Sequence, residues 1–501
     1  MKKILLSILI AFSFNSYAQL TYVPDDVFEN HLETNGMGNG IINDDYVTTA
    51  NITEVTNLDI SLFALQNAIA DLTGIEDFVA LTDLNCNSQY LLTSISLTQN
   101  SALEYLDVSE CSLTSLDVSL MPNLFSLNCY GCSLTSLDLS QNPTLNNLYC
   151  QTNSISTLDL SENGALQNLD CWSNDLTSLT LPQSPSLLYD LNCNGNLLTS
   201  LDFNQGYPYL NYVECGGNQL TNLNLSQCPG LSELGCNYNN LTSLNVSQNL
   251  ALSILHCTNN QLTYFDVSQD TLLSVLYCDQ NQLTSLDVTQ NRALLGLSCS
   301  HNQLISLNVF EDTLLVNLWA SHNQLTELNV SNNSDLILLA VNNNNLNCLN
   351  VQNGNNGSAA TNLWWVGAKF NPNLVCIQVD NVFWANNNWV TGPTGNIDPG
   401  VVFSLNCPNS CDISVGITEL EVWPKELLLY PNPTDGNFTI DLGVNYESAT
   451  VRVTDIYGKL IQSYSYNDHQ LLDIKIEEPA GVYLLMLESG DKKSVIRIVK
   501  E

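Results

Sequence analysis

The sequence predicts a mainly β protein: a solenoid of about 13 coils with a 21–22-residue period, followed by a small C-terminal antiparallel β-sandwich. Three observations carry the prediction. The stretch LYCDQNQLTSLDVTQNRALLG from Leu276 superposes on LSCSHNQLISLNVFEDTLLVN from Leu297, and self-similarity at such a period marks stacked repeats. One slot recurs through Cys86, Val108, Cys129, Cys150, Cys171, Cys193, Cys215, Cys236, Cys257, Cys278, Cys299, Ala320 and Val341 in steps of 21 or 22. From Leu427 onward the period drops to two, with Gly, Asn and Asp between runs of alternating apolar residues, the pattern of short strands and turns.

Residues 1–18, MKKILLSILIAFSFNSYA, combine a basic start, an apolar run and small residues at the end, so they read as a signal peptide cut after Ala18. The mature chain then begins near Gln19. No later apolar run reaches the ~18 residues that a membrane-spanning helix needs. Residues 19–68 form an N-terminal cap, in which PDDVFENHLE from Pro24 reads as a short amphipathic helix over the first coil. Residues 69–351 are the solenoid and 352–411 its C-terminal cap, where LWWVGAKFNPNLVCIQVDNVFWANNNWV from Leu363 keeps one coil-like strand and then turns aromatic. A linker, 412–426, ends in Trp423 and Pro424 and leads into the sandwich, 427–501.

Each coil reads L-x-C-x-x-N-x-L-T-x-L-D-V-S, with a further leucine before the next L-x-C. Its roughly six inward apolar residues cannot by themselves offset the entropy of ordering ~21 residues at ~1–2 kcal/mol each. Stability therefore comes from stacking on neighbours. The two alternating stretches, L-x-C and L-x-V, read as short strands on opposite sides of the coil. The asparagine column, Asn153, Asn174, Asn196, Asn218, Asn239, Asn260, Asn281, Asn302, Asn323 and Asn344, falls at a corner, where an amide both donates to and accepts from backbone that no strand reaches.

The repeats resemble the leucine-rich repeat family, whose L-x-L-x-x-N core appears here with cysteine in the second apolar slot, from about Ile52 to Val379. IADLTGIEDFVALTDLNC from Ile69 looks like the lead-in to internalin-type bacterial repeats. That resemblance implies binding on the strand face. In the tail, YPNPTDGNFTI, VTDIYGKLI and AGVYLLMLESGDKKSVIRIVK resemble the C-terminal sorting domain of type IX secretion cargo. The resemblance implies passage across an outer membrane, contact with the secretion machinery through residues 427–501, and a cargo released or held at the cell surface. An ordinary immunoglobulin-like adhesion module is the other reading of the tail.

Charge is uneven. Between Leu20 and Cys411 only Arg292 and Lys369 are basic against 35 Asp and Glu, whereas eight basic residues lie from Lys425 to Glu501. Nucleic acid is excluded as a partner of the repeats, because phosphate binding needs a basic stripe. Asp117, Asp138, Asp159, Asp266 and Asp287 fall in one column of the L-x-V stretch. Carboxylates ~4.8 Å apart repel by roughly 1 kcal/mol in water, so this column is read either as a solvated face or as a calcium-binding one. NGMGNGIINDDY from Asn35 has the glycine and isoleucine of a calcium loop, but Met37 and Tyr46 stand where oxygen ligands belong. No cofactor is assigned.

Seventeen cysteines in an exported chain raise the question of disulfides. Parallel side chains on adjacent strands hold their Cβ atoms ~4.8 Å apart, too far for a bridge at ~3.8 Å. The slot cysteines are therefore read as buried thiols acting as small hydrophobes. Cys111 and Cys132 replace the corner asparagine in successive coils and are candidates for a vertical bridge. Cys348, Cys376, Cys407 and Cys411 are candidates for one or two staples at the C-terminal end, with Cys376–Cys407 first. Cys228 receives no role.

Outward positions beside the cysteine slot carry Tyr105, Tyr130, Tyr149, Trp172, Tyr212, Tyr277 and Trp319, with Tyr238 near the turn. Aromatic side chains give large contact area at little entropic cost, so this strip is the expected ligand-binding face for an extracellular protein or glycan. No catalytic residue is assigned. Of the five histidines only His301 and His322 align, and no phosphate loop, metalloprotease helix or nucleophile elbow occurs. Two other readings stay open: a calcium-dependent structural or adhesion protein, and an enzyme with an unrecognised site.

Overall fold

The computed structural model describes residues 19–61, 68–183, 187–356, 363–389, 395–409, 411, 428–430, 434–446, 448–455, 460–479, 481–489 and 492–500. The signal peptide and the linker expected from the sequence lie outside the described residues. The chain divides into two compact units, Met1–Cys411 and Asp412–Glu501.

The first unit is a parallel β-solenoid. Its principal sheet has 15 strands in register: thirteen three-residue strands precede the slot residues, and each cap adds one, Asn57–Asp59 and Trp365–Gly367. The central residue of every strand points inward, as when Leu127 pairs with Leu148. Register is fixed because a one-residue slip would turn that leucine outward. One coil buries Leu124, Leu127, Cys129, Leu134, Leu137 and Leu139, and the coils share a single apolar core running into both caps.

The second alternating stretch forms less sheet than its pattern suggests. Among the described residues it pairs as Thr157–Asp159 with Ser178–Thr180 and as a four-stranded sheet from Glu327–Asn329 to Val402–Ser404. The same Asx turn closes this stretch in paired and unpaired coils alike, Asp159 and Asn329 among the paired ones. Its Asp or Asn accepts the backbone N–H two residues on, at 2.9 Å from Ser119 to Asp117 and 2.8 Å from Ser268 to Asp266. Such an Asx turn ends the extended run at that residue.

Between strand and corner asparagine, each coil places one residue at positive φ. In most coils that residue is not glycine: Ser173 (54°), Tyr238 (53°), Gln280 (52°), His301 (56°) and His322 (56°) are examples. Left-handed backbone is strained for such residues, and contacts between coils hold it. The His301 N–H donates to the Ser321 carbonyl at 2.8 Å, and that of Gln280 to Ser300 at 2.9 Å.

The N-terminal cap contains the helix Asp26–Thr34, whose N-cap Asp25 accepts from the amides of Val27 and Phe28. Phe28 and Leu32 are buried against the first coils, with Phe28 stacked on Phe78 at 6.5 Å. At the other end, the helix Val382–Asn388 leads to the buried Trp389, which packs edge-on against Trp384 and Phe403. Two disulfides, Cys348–Cys411 and Cys376–Cys407, have Cα separations of 5.3 and 5.8 Å.

The second unit is an antiparallel sandwich. A three-stranded sheet (Leu428–Tyr430, Asn437–Tyr446, His469–Lys475) and a four-stranded one (Ala449–Asp455, Leu460–Tyr466, Gly481–Ser489, Lys492–Lys500) enclose a core that includes Ile440, Val451, Val453, Leu472, Leu485 and Ile498.

Candidate binding face

The corner asparagines tie successive coils of the long sheet to one another. In the coils from Asn153 to Asn344, Asn Oδ1 accepts a backbone N–H of the coil before, and Nδ2 donates to carbonyls on both coils. For Asn239 these are the Leu220 amide (3.0 Å) and the carbonyls of Cys215 (3.0 Å), Cys236 (3.2 Å) and Asn237 (3.2 Å). Asn371 extends the column into the C-terminal cap, accepting from Leu346 and donating to Val341 and Ala368.

Cys111 and Cys132 occupy this seat without bridging; both are free thiols. Each Sγ–H donates to the carbonyl of the preceding coil, Cys86 (3.3 Å) and Val108 (3.2 Å), the contact that asparagine makes elsewhere. Both side chains thus lean the same way, and the vertical bridge allowed by the sequence does not form. The slot cysteines are buried and free. Burial raises their thiols, to about 12 at Cys150, Cys193 and Cys236, which removes the thiolate that oxidation requires.

The eight aromatics expected on one strip fall into four columns. Tyr105 and Tyr212 precede the central strand residue, and Tyr149, Tyr277 and Trp319 follow it. Tyr130 and Trp172 come just after the slot, and Tyr238 occupies the positive-φ corner. Tyr149 and Tyr212 border a hollow of about 480 Å³ with Asn168, Asp170, Asp190 and Glu233. Tyr105 and Tyr149 border a second, of about 400 Å³, with Asp59, Asp83 and Asp107. Tyr277 stacks on His256 at 4.8 Å and meets Trp319 edge-on at 6.1 Å. Tyr130, Trp172 and Tyr238 line neither hollow. Phe125, not singled out in the sequence, is exposed and lies 5.7 Å from Tyr105.

Strand by strand the face changes character. Outward residues from Asn57 to Glu233 include Asp59, Asp83, Asp107, Asp170, Asp190, Glu214 and Glu233, whereas the strands from Ile254–His256 to Trp365–Gly367 carry Ile254, Val275, Tyr277, Trp319, Leu338 and Trp365 and no acid. In the acidic half, burial pushes Asp170 up to about 6. Burial and the neighbouring Glu233 raise Asp190. The two basic residues of the repeat unit lie elsewhere: Arg292 pairs with Glu311 at 3.1 Å, and Lys369 sits 5.6 Å from the Phe370 ring centre.

The acidic column of the other side is engaged in Asx turns. Hydrogen bonds from Ser119 hold the Asp117 carboxyl below its usual range, and those from Ser140 do the same for Asp138. In the N-terminal cap, Asp26, Glu29 and Asp45 bring carboxylate oxygens within 4.8 Å of one another, and Glu29 there accepts the amides of Asp44 (3.1 Å) and Asp45 (3.4 Å). His301 and His322 stack at 4.1 Å, and burial together with His301 lowers His322.

Residues 428–501 match the family model of the secretion system C-terminal sorting domain. Among solved structures, the functional domain of InlJ from Listeria monocytogenes, described as including a cysteine ladder, is 26% identical with a TM-score of 0.61, covering 97% of this chain and 99% of its own. The internalin InlF of Listeria monocytogenes is 21% identical over 66% of this chain and 85% of its own, at TM-score 0.45. YopM of Yersinia enterocolitica is 27% identical over 54% and 65%, at 0.40. No curated protein sequence matches. The repeat unit is thus similar in fold to an internalin-type leucine-rich repeat solenoid, and the C-terminal match is to a sorting domain that directs a chain to the outside of the cell or its outer surface. No helix among the described residues is long and apolar enough to cross a membrane.

Proposed function

We propose that the repeat unit is a binding module that takes an extracellular protein or glycan on the outward face of its long parallel sheet, while the sorting domain engages the type IX machinery. One observation carries this reading: the outward strand positions combine exposed aromatics with acidic hollows that hold no basic residue of the repeat unit. The charge favours a protein partner bearing Lys or Arg, since unpaired, partly desolvated carboxylates gain most from a cation. The strands of the long sheet from Ile254–His256 to Trp365–Gly367, which carry no acid themselves, suit the apolar core of such an interface.

An array of extracellular proteins and glycans probed with the full chain tests it. Tyr149→Ala and Trp172→Ala should each weaken capture without lowering the melting temperature, and capture should fall as salt rises. Unchanged capture by both variants would remove this face from consideration. A calcium-dependent adhesive role has less support, because one oxygen of each carboxylate in the Asp117 and Asp138 column already accepts a backbone amide. A melt with calcium and with chelator should show no shift if plain display is the role; a large shift would favour the adhesive one.

A further inference from the structure

A second buried column lies in the turn after each L-x-V stretch. There Asn249 donates to the carbonyls of Leu225 (3.2 Å) and Cys228 (2.8 Å), Asn291 to Val267 (2.8 Å) and Asp270 (2.9 Å), and Asn333 to Val309 and Asp312 (both 2.8 Å). In the two coils between, the seat holds Asp270 and Asp312. Their backbone turn is the same: Asp270 and Asp312 donate N–H to Val267 and Val309 at 3.0 and 3.1 Å, as Asn291 does to Val288 at 2.8 Å. Both aspartates are fully buried, and no carboxyl oxygen of either has a hydrogen-bond partner.

By register, the Asp270 carboxyl faces the carbonyls of Val246 and Asn249, and that of Asp312 the carbonyls of Val288 and Asn291. A carboxylate has only acceptors to offer and would stand buried against two more. A carboxylic acid has one O–H and restores the donor that the amide provides. We propose that Asp270 and Asp312 are neutral acids in the folded protein, each donating its O–H to a carbonyl of the preceding coil, and that their ionisation loosens the coils from Val246 to Asn333.

The surroundings act in the same direction. Burial pushes both groups up to about 7. Asp266 on its own coil adds to the effect on Asp270; Glu311 and Asp287 add to it on Asp312, and Arg292 opposes. The seats above and below are uncharged amides, Asn249, Asn291 and Asn333. An acid with its folded pKa above an unfolded value of about 3.9 binds more protons when folded. Its stabilisation is full below that unfolded value and is lost as pH rises through about 7.

The test is the full chain carrying D270N and D312N together, which puts the neighbouring coils' own amide in both seats. Melting is followed at pH about 5 and about 9, with protection factors for the amides of Leu273 and Leu315. Those amides donate to the Asp270 and Asp312 carbonyls at 3.0 Å. The wild type should melt several degrees lower at the higher pH and lose protection at both amides; the double variant should lose less of each. An equal loss in both proteins, or an equal gain of the variant at both pH values, would overturn the proposal. Should the double variant fail to fold, D312N alone gives the same comparison at Leu315.

Discussion

The two buried amide columns run through the same coils, yet they tolerate substitution very differently. In the corner column both ends of the side chain are engaged, with Oδ1 accepting from one coil and Nδ2 donating to carbonyls of two. In the second column Nδ2 alone is engaged; Oδ1 of Asn142, Asn163, Asn249, Asn291 and Asn333 has no partner. The corner column departs from asparagine only at its start, with Gln89, Cys111 and Cys132. The second admits Met121, Tyr207, Cys228, Asp270 and Asp312 among its asparagines. A seat that uses every atom of a side chain fixes its identity, and a seat that uses half of them fixes only a donor or a shape.

Four substitutions probe that difference. Asn239→Ala should be the most damaging, at about 2–3 kcal/mol in denaturant melts, because it orphans the Leu220 amide in a dry interior, while the Cys215, Cys236 and Asn237 carbonyls keep donors from Asn218, Asn260 and Gly217. Asn291→Ala removes only donations and should cost about 1–2 kcal/mol; a loss equal to that of Asn239→Ala would refute the distinction. Cys132→Asn should stabilise by about 1 kcal/mol, since it supplies at the start of the corner column the amide that the ten coils from Asn153 to Asn344 use in the same way. Asp117→Ala, on the solvent side, should stay within about 0.5 kcal/mol. What little Asp117 contributes has the opposite pH sign to Asp270. A carboxyl held below its usual range stabilises above the unfolded value and ceases to do so as pH falls through the folded one.

The corner column was legible in the sequence because an amide engaged at both ends admits almost nothing else, so Asn recurs without interruption from Asn153 to Asn344. The second column was not, because Met121, Cys228 and Asp270 break its appearance while leaving its geometry intact. Cys228, given no role on sequence, fills one of its seats: its carbonyl accepts from Asn249 and its N–H donates to Leu225. The positive-φ corner was also hidden. Ser173, Tyr238, Gln280 and His322 share no chemistry, and their backbone is set by hydrogen bonds to the next coil. On the candidate face, aromatic residues could be counted but not grouped. Whether Tyr149 joins Tyr212 or Tyr130 depends on one-residue offsets between columns, which composition does not resolve. The pairing of Cys348 with Cys411 rests on a return of the chain over 63 residues, which no local pattern encodes.

The scarcity of cations in the repeat unit reaches beyond binding. A protease that cuts after Lys or Arg finds two targets between Leu20 and Cys411, one paired with Glu311 and the other beside Phe370, against eight from Lys425 onward. In a milieu rich in such enzymes, digestion would strip away the export tag long before it reached the repeats.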